Sequence, residues 1–473
     1  MISRNLNKLQ INSPIVSSGL RYYNSNEQRD ILIIGGGPAG YVAGIKASQL
    51  GMKVTVVEKR GKLGGTCVHD GCIPSKVLLH SSHLFDEAKS KFGKFGITGA
   101  DQLQANVVDM VKNKNETVSD LADDIEVLFE KNRVDYVSGQ ATIISPTKVK
   151  IISNDNGEET IINTKHIIIA TGSEITSVPG IEIDEKQIIS SDSALNLQSI
   201  PKRLVIIGGG LIGLEVGSIW SRLGSQTTII ERTRIGGGSD NEMATHLRGL
   251  LESQNNMTFH VQTQATRVSK NEDGSVTVHV ESIGEKGLNG SIEADIVLVA
   301  VGRRAFTRGL GLEKLGIVMD ERGSIKVDAN FCTNVESIFA IGDVIRGPMI
   351  AHRAQEEGIA VVEHLHSGAT HKYGSIPLVI YTHPELAIVG LSEEHAKMMS
   401  ISYKVGTFPL HANSLARATH QSNGLVKILA DATSDKIIGV HIISDHASEL
   451  IGQGVLAIQN GITTKDISRD TEI

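Results

Sequence analysis

Asp30-Ile31-Leu32-Ile33-Ile34-Gly35-Gly36-Gly37-Pro38-Ala39-Gly40 is an apolar strand running into a glycine-rich turn, and an apolar-periodic stretch from Tyr41 to Leu50 follows it. A second strand, Lys53 to Val57, ends at Glu58. The same order returns later: Leu204 to Ile207, then Gly208-Gly209-Gly210-Leu211-Ile212-Gly213, a helical stretch to Leu223, and a strand ending at Glu231. The first motif glycine and the acid stand 23 positions apart in both copies, Gly35 to Glu58 and Gly208 to Glu231. One G-x-G-x-x-G means little in a chain with 49 glycines among 473 residues. Two copies, each with strand, helix and terminal acid in one register, mean a great deal.

The physics of such a turn is specific. Its first glycine permits the tight bend, its second lets backbone approach a pyrophosphate, and its third packs helix on strand. The helix N-terminus adds N–H groups and partial positive charge, and the glutamate accepts hydrogen bonds from a ribose 2′-hydroxyl. Two dinucleotide sites are therefore expected. Glu231 repels the 2′-phosphate of NADP and so points to NAD, although Arg232 and Arg234 follow it and arginine is what NADP binders place there. Further nucleotide-associated segments are Ile167-Ile168-Ile169-Ala170-Thr171-Gly172-Ser173 and Ser337-Ile338-Phe339-Ala340-Ile341-Gly342-Asp343, both apolar strands ending in turns. The loop Ser173 to Gly180, and Pro201, read as joints. Glu281 to Ser291 reads as a hairpin tip. Beyond Ser375 the pattern turns strand-rich, then helical from Ala447 to Asn460.

The expected class is α/β: two Rossmann-type dinucleotide-binding domains, 26-172 and 173-304, a central segment, 305-372, and a separate C-terminal α+β domain, 373-473. A chain of this length exceeds one core. Its formal charge of −7 argues against nucleic acid or an anionic membrane as partner, and no apolar run approaches the ~20 residues of a membrane span.

Residues 1-25 read as a mitochondrial transit peptide. Arg4, Lys8 and Arg21 are the only charged side chains before Glu27, and Ile2, Leu6 and Leu9 recur at helical spacing. Three cysteines occur, too few for a disulfide framework. Cys67 and Cys72 lie five positions apart and Cys332 stands alone. A close pair reads as redox or metal chemistry, and a metal would need two further ligands at matching spacing, which the chain lacks. Two thiols at the opening of a helix feel its positive end, which favours thiolate.

Gly64-Gly65-Thr66-Cys67-Val68-His69-Asp70-Gly71-Cys72-Ile73-Pro74-Ser75-Lys76, behind the Gly35–Gly40 turn, resembles the flavoprotein pyridine-nucleotide disulfide oxidoreductases. The resemblance runs from about residue 29 to about 469. Within that family, Ile73 to Lys76, Val301-Gly302-Arg303-Arg304, and Gly347-Pro348-Met349-Ile350-Ala351-His352 with Glu356-Glu357-Gly358 are similar to the dihydrolipoamide dehydrogenases. The resemblance implies FAD and NAD as cofactors and a homodimer, with 26-172 the FAD-binding domain, 173-304 the NAD-binding domain, 305-372 a segment returning to the FAD domain and 373-473 an incomplete interface (dimerisation) domain. Electrons would flow from dihydrolipoamide to the disulfide, to FAD, then to NAD. It also implies work in the mitochondrial matrix on the lipoyl domains of 2-oxo acid dehydrogenase complexes and the glycine cleavage system.

The same resemblance assigns roles. Cys72 would lie under the flavin as the charge-transfer thiol, and Cys67 would exchange with the substrate dithiol. Lys76 would stand near the flavin with Glu215 as its ion-pair partner. FAD contacts would come from Gly35, Gly37, Pro38, Ala39 and Gly40 of the turn, from Glu58, and from Gly65 and Thr66. Ala141, Thr171, Gly172, Ser173 and Asp343 would join them, with Met349, Ile350, Ala351 and His352. NAD contacts would come from Gly208, Gly210, Leu211, Ile212 and Gly213, then Glu215, Glu231, Ala265 and Gly302. Ala141 stands where that family often has glycine.

Departures from the pattern are also visible. Enzymes of this kind end on a His-Pro-Thr-x-Ser-Glu motif whose histidine is the base for the dithiol proton, acting across the dimer. Here the resemblance runs through Asn460-Gly461-Ile462 to Asp466-Ile467-Ser468-Arg469, and stops at Asp470-Thr471-Glu472-Ile473. Two expectations follow: an end missing from the sequence as given, or a short form restricted to passing electrons from NADH to dyes or quinones, or to binding. His383-Pro384-Glu385 reads as part of a strand-like stretch, Tyr381 to Leu386, and not as the base. His441 fits a strand and His446 a loop. His69 and Asp70 read as variation in a solvated loop.

Overall fold

The computed structural model describes residues 27–254, 256–370 and 374–470. The leader expected over 1-25 lies outside them, as do residues 471–473.

The first motif strand, Arg29–Ile34, is the centre of a parallel sheet. It pairs with Val54–Glu58 on one side and with Glu159–Ile169 on the other, so that Ile34 faces both Val57 and Ile169. Asp135–Ser145 adds beyond Val54–Glu58, and Ile338–Ala340 adds beyond Glu159–Ile169. The chain thus comes back to this sheet after a long excursion. Ile31, Leu32 and Ile33 are fully buried, as strands covered on both faces must be. The upper halves of Asp135–Ser145 and Glu159–Ile169 diverge from the parallel ladder and flank Lys148–Ser153 antiparallel.

The second motif builds a sheet of the same plan. Arg203–Ile207 is central, between Gln226–Ile230 and Ile296–Val299, with Met257–His260 and Ile188–Ile189 outside, all parallel. A three-stranded antiparallel ribbon, Thr263–Lys270, Val276–Ser282 and Gly290–Ala294, follows, with its second hairpin at the tip that the polar stretch Glu281 to Ser291 predicts. The repeat is therefore deeper than the glycine turns: both copies attach an antiparallel ribbon at one place in the topology. The third unit is a five-stranded antiparallel sheet, Leu378–Ile380, Glu385–Gly390, Ile437–Ser444, Leu425–Asp431 and Tyr403–Pro409, covered by the helix Ala447–Asn460.

Two helix pairs lock these layers. Pro38–Gln49 packs on Ala351–Ser367, close enough that a Cβ on Gly358 would stand 2.7 Å from the Ala39 carbonyl oxygen. Cys72–Lys91 packs on Leu211–Arg222, which joins the cysteine segment to the second dinucleotide helix. Trp220 anchors the latter helix. It is 1% exposed, and its indole N–H donates to the Ala194 carbonyl at 3.1 Å. Trp220→Ala is expected to lower stability by about 3–5 kcal/mol, seen as an earlier unfolding transition by circular dichroism. A loss under about 1 kcal/mol would mean that the site collapses around the smaller side chain.

Candidate functional site

Both turns are built to the limit of backbone contact. Gly35 has φ +111° and Gly208 φ +114°, a region side chains avoid. A Cβ on Gly40 would overlap the Gly35 carbonyl oxygen, and one on Gly213 would overlap that of Gly208. The middle glycines are different: a Cβ on Gly37 would find only Gly65 Cα at 3.6 Å, and one on Gly210 would meet nothing within 4 Å. No side chain caps either helix, which leaves helix-start N–H groups for an anion. These residues fit a dinucleotide in each turn.

Each acid first serves its own turn. Glu58 accepts from the N–H of Gly36 at 2.7 Å and of Arg60 at 2.8 Å. Glu231 accepts from Gly209 N at 2.8 Å and from the Thr233 N–H and hydroxyl at 2.8 and 3.0 Å. A cavity of about 190 Å³ opens beside Glu58, lined by Gly35, Ala141, Thr171 and Gln140 among others. Thr171 donates to the Phe306 carbonyl at 2.7 Å. Ser173 donates to Asp343 at 2.7 Å while receiving a hydrogen bond from Arg303 Nε at 2.8 Å. Burial pushes the Asp343 carboxyl up, against the hydrogen bond from Ser173. Gly342 N donates to Glu357 at 2.7 Å, and Arg353 pairs with the same fully buried carboxylate at 2.7 Å.

The cysteine segment occupies two helices where the sequence predicts the opening of one. Gly64, at φ +112°, starts the short helix Gly65–His69 that carries Cys67. Gly71 then restarts the chain, so that Cys72 is the first residue of Cys72–Lys91. The break turns the two thiols toward each other. Both are free and half-buried. A hydrogen bond from Cys67 holds the Cys72 thiol below its ordinary value, with Lys76 adding to it and burial opposing. Cys67 is pushed up by the same hydrogen bond and by burial.

Lys76, one turn along, reaches Glu215 with Nζ 2.9 and 3.2 Å from its carboxylate oxygens, and lies 4.2 Å from the centre of the Tyr381 ring. Glu215 also accepts from Tyr381 N at 3.1 Å, and only 8% of its side chain is exposed. One carboxylate joins the cysteine helix, the second dinucleotide helix and the third sheet. Sequence reasoning missed Tyr41, which follows the first turn directly. Its hydroxyl receives a hydrogen bond from Gln355 at 3.1 Å, and burial, with the two cysteines nearby, pushes its pKa up.

Several of the residues singled out in the sequence are engaged within the protein itself. Ala265 is buried in the core of the second unit, beside a bulge in Thr263–Lys270. His352 spends Nε2 on the Pro377 carbonyl at 2.6 Å. His69 bonds the Leu63 carbonyl at 2.8 Å, and Asp70 pairs with Arg60, so this loop is tied down and not merely solvated. His383 lies in the connection between Leu378–Ile380 and Glu385–Gly390, not within a strand. Its ring stacks 3.6 Å from His83 and its Nε2 is 3.2 Å from Asp445; burial beside His383 pushes His83 down to about 3. His441 is a buried strand residue bonded to the Leu391 carbonyl at 3.0 Å, and His446 precedes the helix Ala447–Asn460.

Comparison with known proteins agrees with this geometry. The family model described as pyridine nucleotide-disulphide oxidoreductase matches residues 29–358, and that family's dimerisation domain matches 376–473. The mitochondrial dihydrolipoyl dehydrogenase of Dictyostelium discoideum is 53% identical over 465 residues, covering 98% of this chain and 94% of its own length. The mitochondrial dihydrolipoyl dehydrogenase 1 of Arabidopsis thaliana is 49% identical, covering 94% and 87%. Among solved structures, the HOCl-induced flavoprotein disulfide reductase RclA from Escherichia coli superposes with a TM-score of 0.81 at 26% identity, over 94% of this chain and 96% of the other.

Proposed function

The chain belongs to the pyridine nucleotide-disulphide oxidoreductase family, and from that premise we propose that it is a dihydrolipoyl dehydrogenase using FAD and NAD. The observation that carries this reading is the cysteine pair at a helix start, backed by the Lys76–Glu215 ion pair and set between two dinucleotide turns. The reaction is dihydrolipoamide + NAD⁺ → lipoamide + NADH + H⁺. A substrate thiolate attacks Cys67 in the disulfide form of the pair, and Cys72 leaves as thiolate. The second substrate thiol then displaces Cys67, closing the substrate's disulfide and leaving two electrons on the cysteine pair. The helix N-terminus and Lys76 stabilise the departing Cys72 sulfur, and Glu215 holds Lys76 in place. When bound, FAD supplies the two-electron link between thiols and nicotinamide. Its contacts are assigned to the Gly35–Gly40 turn, Glu58, Thr171 to Ser173 and Asp343; those of NAD are assigned to the Gly208–Gly213 turn and Glu231.

The dimerisation domain supports a homodimer. The dithiol is supplied by lipoyl domains of 2-oxo acid dehydrogenase complexes, and the site of action is the mitochondrial matrix. The basic leader and the mitochondrial names of the relatives support that placement. Purified holoenzyme mixed with dihydrolipoamide and NAD is expected to form NADH; absence of NADH with FAD in place would refute the assignment.

Glu231 sets the choice of nicotinamide. A carboxylate at the ribose repels a 2′-phosphate, so kcat/KM is expected to favour NAD over NADP. Glu231→Gln is expected to narrow the ratio by roughly tenfold or more, since like charges at ~4–6 Å near a surface are worth ~1–4 kcal/mol. Equal values for the two cofactors in the unaltered enzyme would mean that Arg232 or Arg234 overrides the carboxylate.

A further inference from the structure

The internal repeat continues past its acids, and the continuation leads to a residue far from either turn. After Glu58 the chain folds back so that Gly64 N donates to the Gly36 carbonyl at 2.8 Å; after Glu231, Gly236 N donates to the Gly209 carbonyl at 2.8 Å. Leu63 and Ile235, both buried, cover Gly36 and Gly209, the glycines that precede the open middle ones. Gly65 then bears on Gly37 and Pro38, and Gly237 bears on Leu211, which occupies the place of Pro38 in the second copy. In the first copy this returning segment carries Cys67. In the second it is Gly236-Gly237-Gly238-Ser239-Asp240, with the three glycines at φ +84°, +59° and +97°.

Three consecutive glycines in the left-handed region lose the most conformational freedom on ordering, so the segment needs an anchor at each end. One is Gly209. The other is Asp240, whose side chain is 1% exposed and whose Oδ1 receives Lys427 Nζ at 2.9 Å. Lys427 lies in the strand Leu425–Asp431 of the third sheet, and its side chain is likewise 1% exposed. The same ammonium reaches Glu242 at 2.8 Å and Glu393 at 2.6 Å. Asp240 also receives Glu242 N at 3.1 Å, at the start of the helix Asn241–Gln254, and Glu393 N at 3.2 Å. Burial would strip the Lys427 proton, but the bonds to Glu242, Glu393 and Asp240 outweigh it and hold the charge.

We propose that Lys427 is a positioning residue for NAD: from the dimerisation domain it fixes the Gly236–Asp240 segment against the second dinucleotide turn. The proposal rests on the reading that this turn takes NAD. Holoenzyme carrying Lys427→Met tests it, with the NADH dissociation constant measured by calorimetric titration. Reduction of the cysteine pair by dihydrolipoamide is measured separately, by quenching and counting alkylated thiols. The expected result is an NADH dissociation constant raised about tenfold or more, as befits breaking a buried ion pair, with thiol reduction changed less than about twofold. An unchanged NADH constant, or equal losses in both measurements, would overturn the proposal. Should Lys427→Met fail to fold, Glu393→Gln decides. It removes one charge from a partly exposed partner and is expected to raise the constant roughly two- to threefold, and no change overturns the proposal. Unaltered enzyme that binds no NADH would instead sink the assignment of the turn.

Discussion

Cys72→Ser is expected to abolish dihydrolipoamide oxidation, by ~10⁴-fold or more, because no disulfide can form and no second nucleophile replaces it. Cys67→Ser is expected to be as inactive, so turnover alone does not tell the two thiols apart. Their proton affinities do. With Cys67 replaced, the remaining Cys72 keeps Lys76 and the helix start beside it, and a serine hydroxyl can still donate a hydrogen bond to its sulfur. With Cys72 replaced, Cys67 loses the hydrogen bond with the Cys72 sulfur that raises its pKa but keeps the burial that also raises it. Alkylation by iodoacetamide followed against pH is therefore expected to reach half its maximal rate at a lower pH for Cys72 than for Cys67. Thiolate content falls as pH falls through each midpoint, so the two curves separate on the acid side. The opposite order would exchange the roles of the two residues. NADH-to-dye transfer, which uses neither thiol, is expected to survive both substitutions.

The features legible in the sequence share one property: they are local. A strand, a glycine turn and an acid at fixed spacing can be read because each constraint acts within one βαβ unit, and Cys67 to Lys76 can be read because its chemistry lies within a few residues. What the sequence did not disclose depends on distant segments meeting. His383 reads as a strand residue by its neighbours, and only the approach of Cys72–Lys91 brings His83 onto its ring. Lys427 alternates correctly for a strand, yet nothing in Leu425–Asp431 announces three carboxylates drawn from two other elements. Glu215 reads both as a nucleotide contact and as the partner of Lys76, and its carboxylate lies on Lys76 and accepts from Tyr381 N, which nothing near Glu215 in the chain announces.

The two turns are near copies, so the decisive question is which dinucleotide each one holds, and a matched pair of substitutions answers it. Gly40→Ala places a methyl on the Gly35 carbonyl, and Gly213→Ala places one on the Gly208 carbonyl. Neither target can swing aside, since both are backbone of the turn itself, so helix and strand must part and the N–H groups at the helix start lose their aim. Overpacking of this kind costs ~1–3 kcal/mol or more, and the loss falls on whichever ligand the turn cradles. Gly40→Ala protein is expected to purify with little or no flavin, measured as the ratio of flavin to protein absorbance. Gly213→Ala is expected to stay yellow and to bind NADH roughly 10- to 100-fold more weakly. The cysteine helix packs against the second dinucleotide helix, so a general disturbance of that helix would also slow thiol reduction in Gly213→Ala. Unchanged thiol reduction beside weakened NADH binding therefore marks a loss at the turn alone. If Gly213→Ala sheds flavin while Gly40→Ala keeps it, the two cofactor assignments are exchanged, and the cavity beside Glu58 belongs to the nicotinamide dinucleotide.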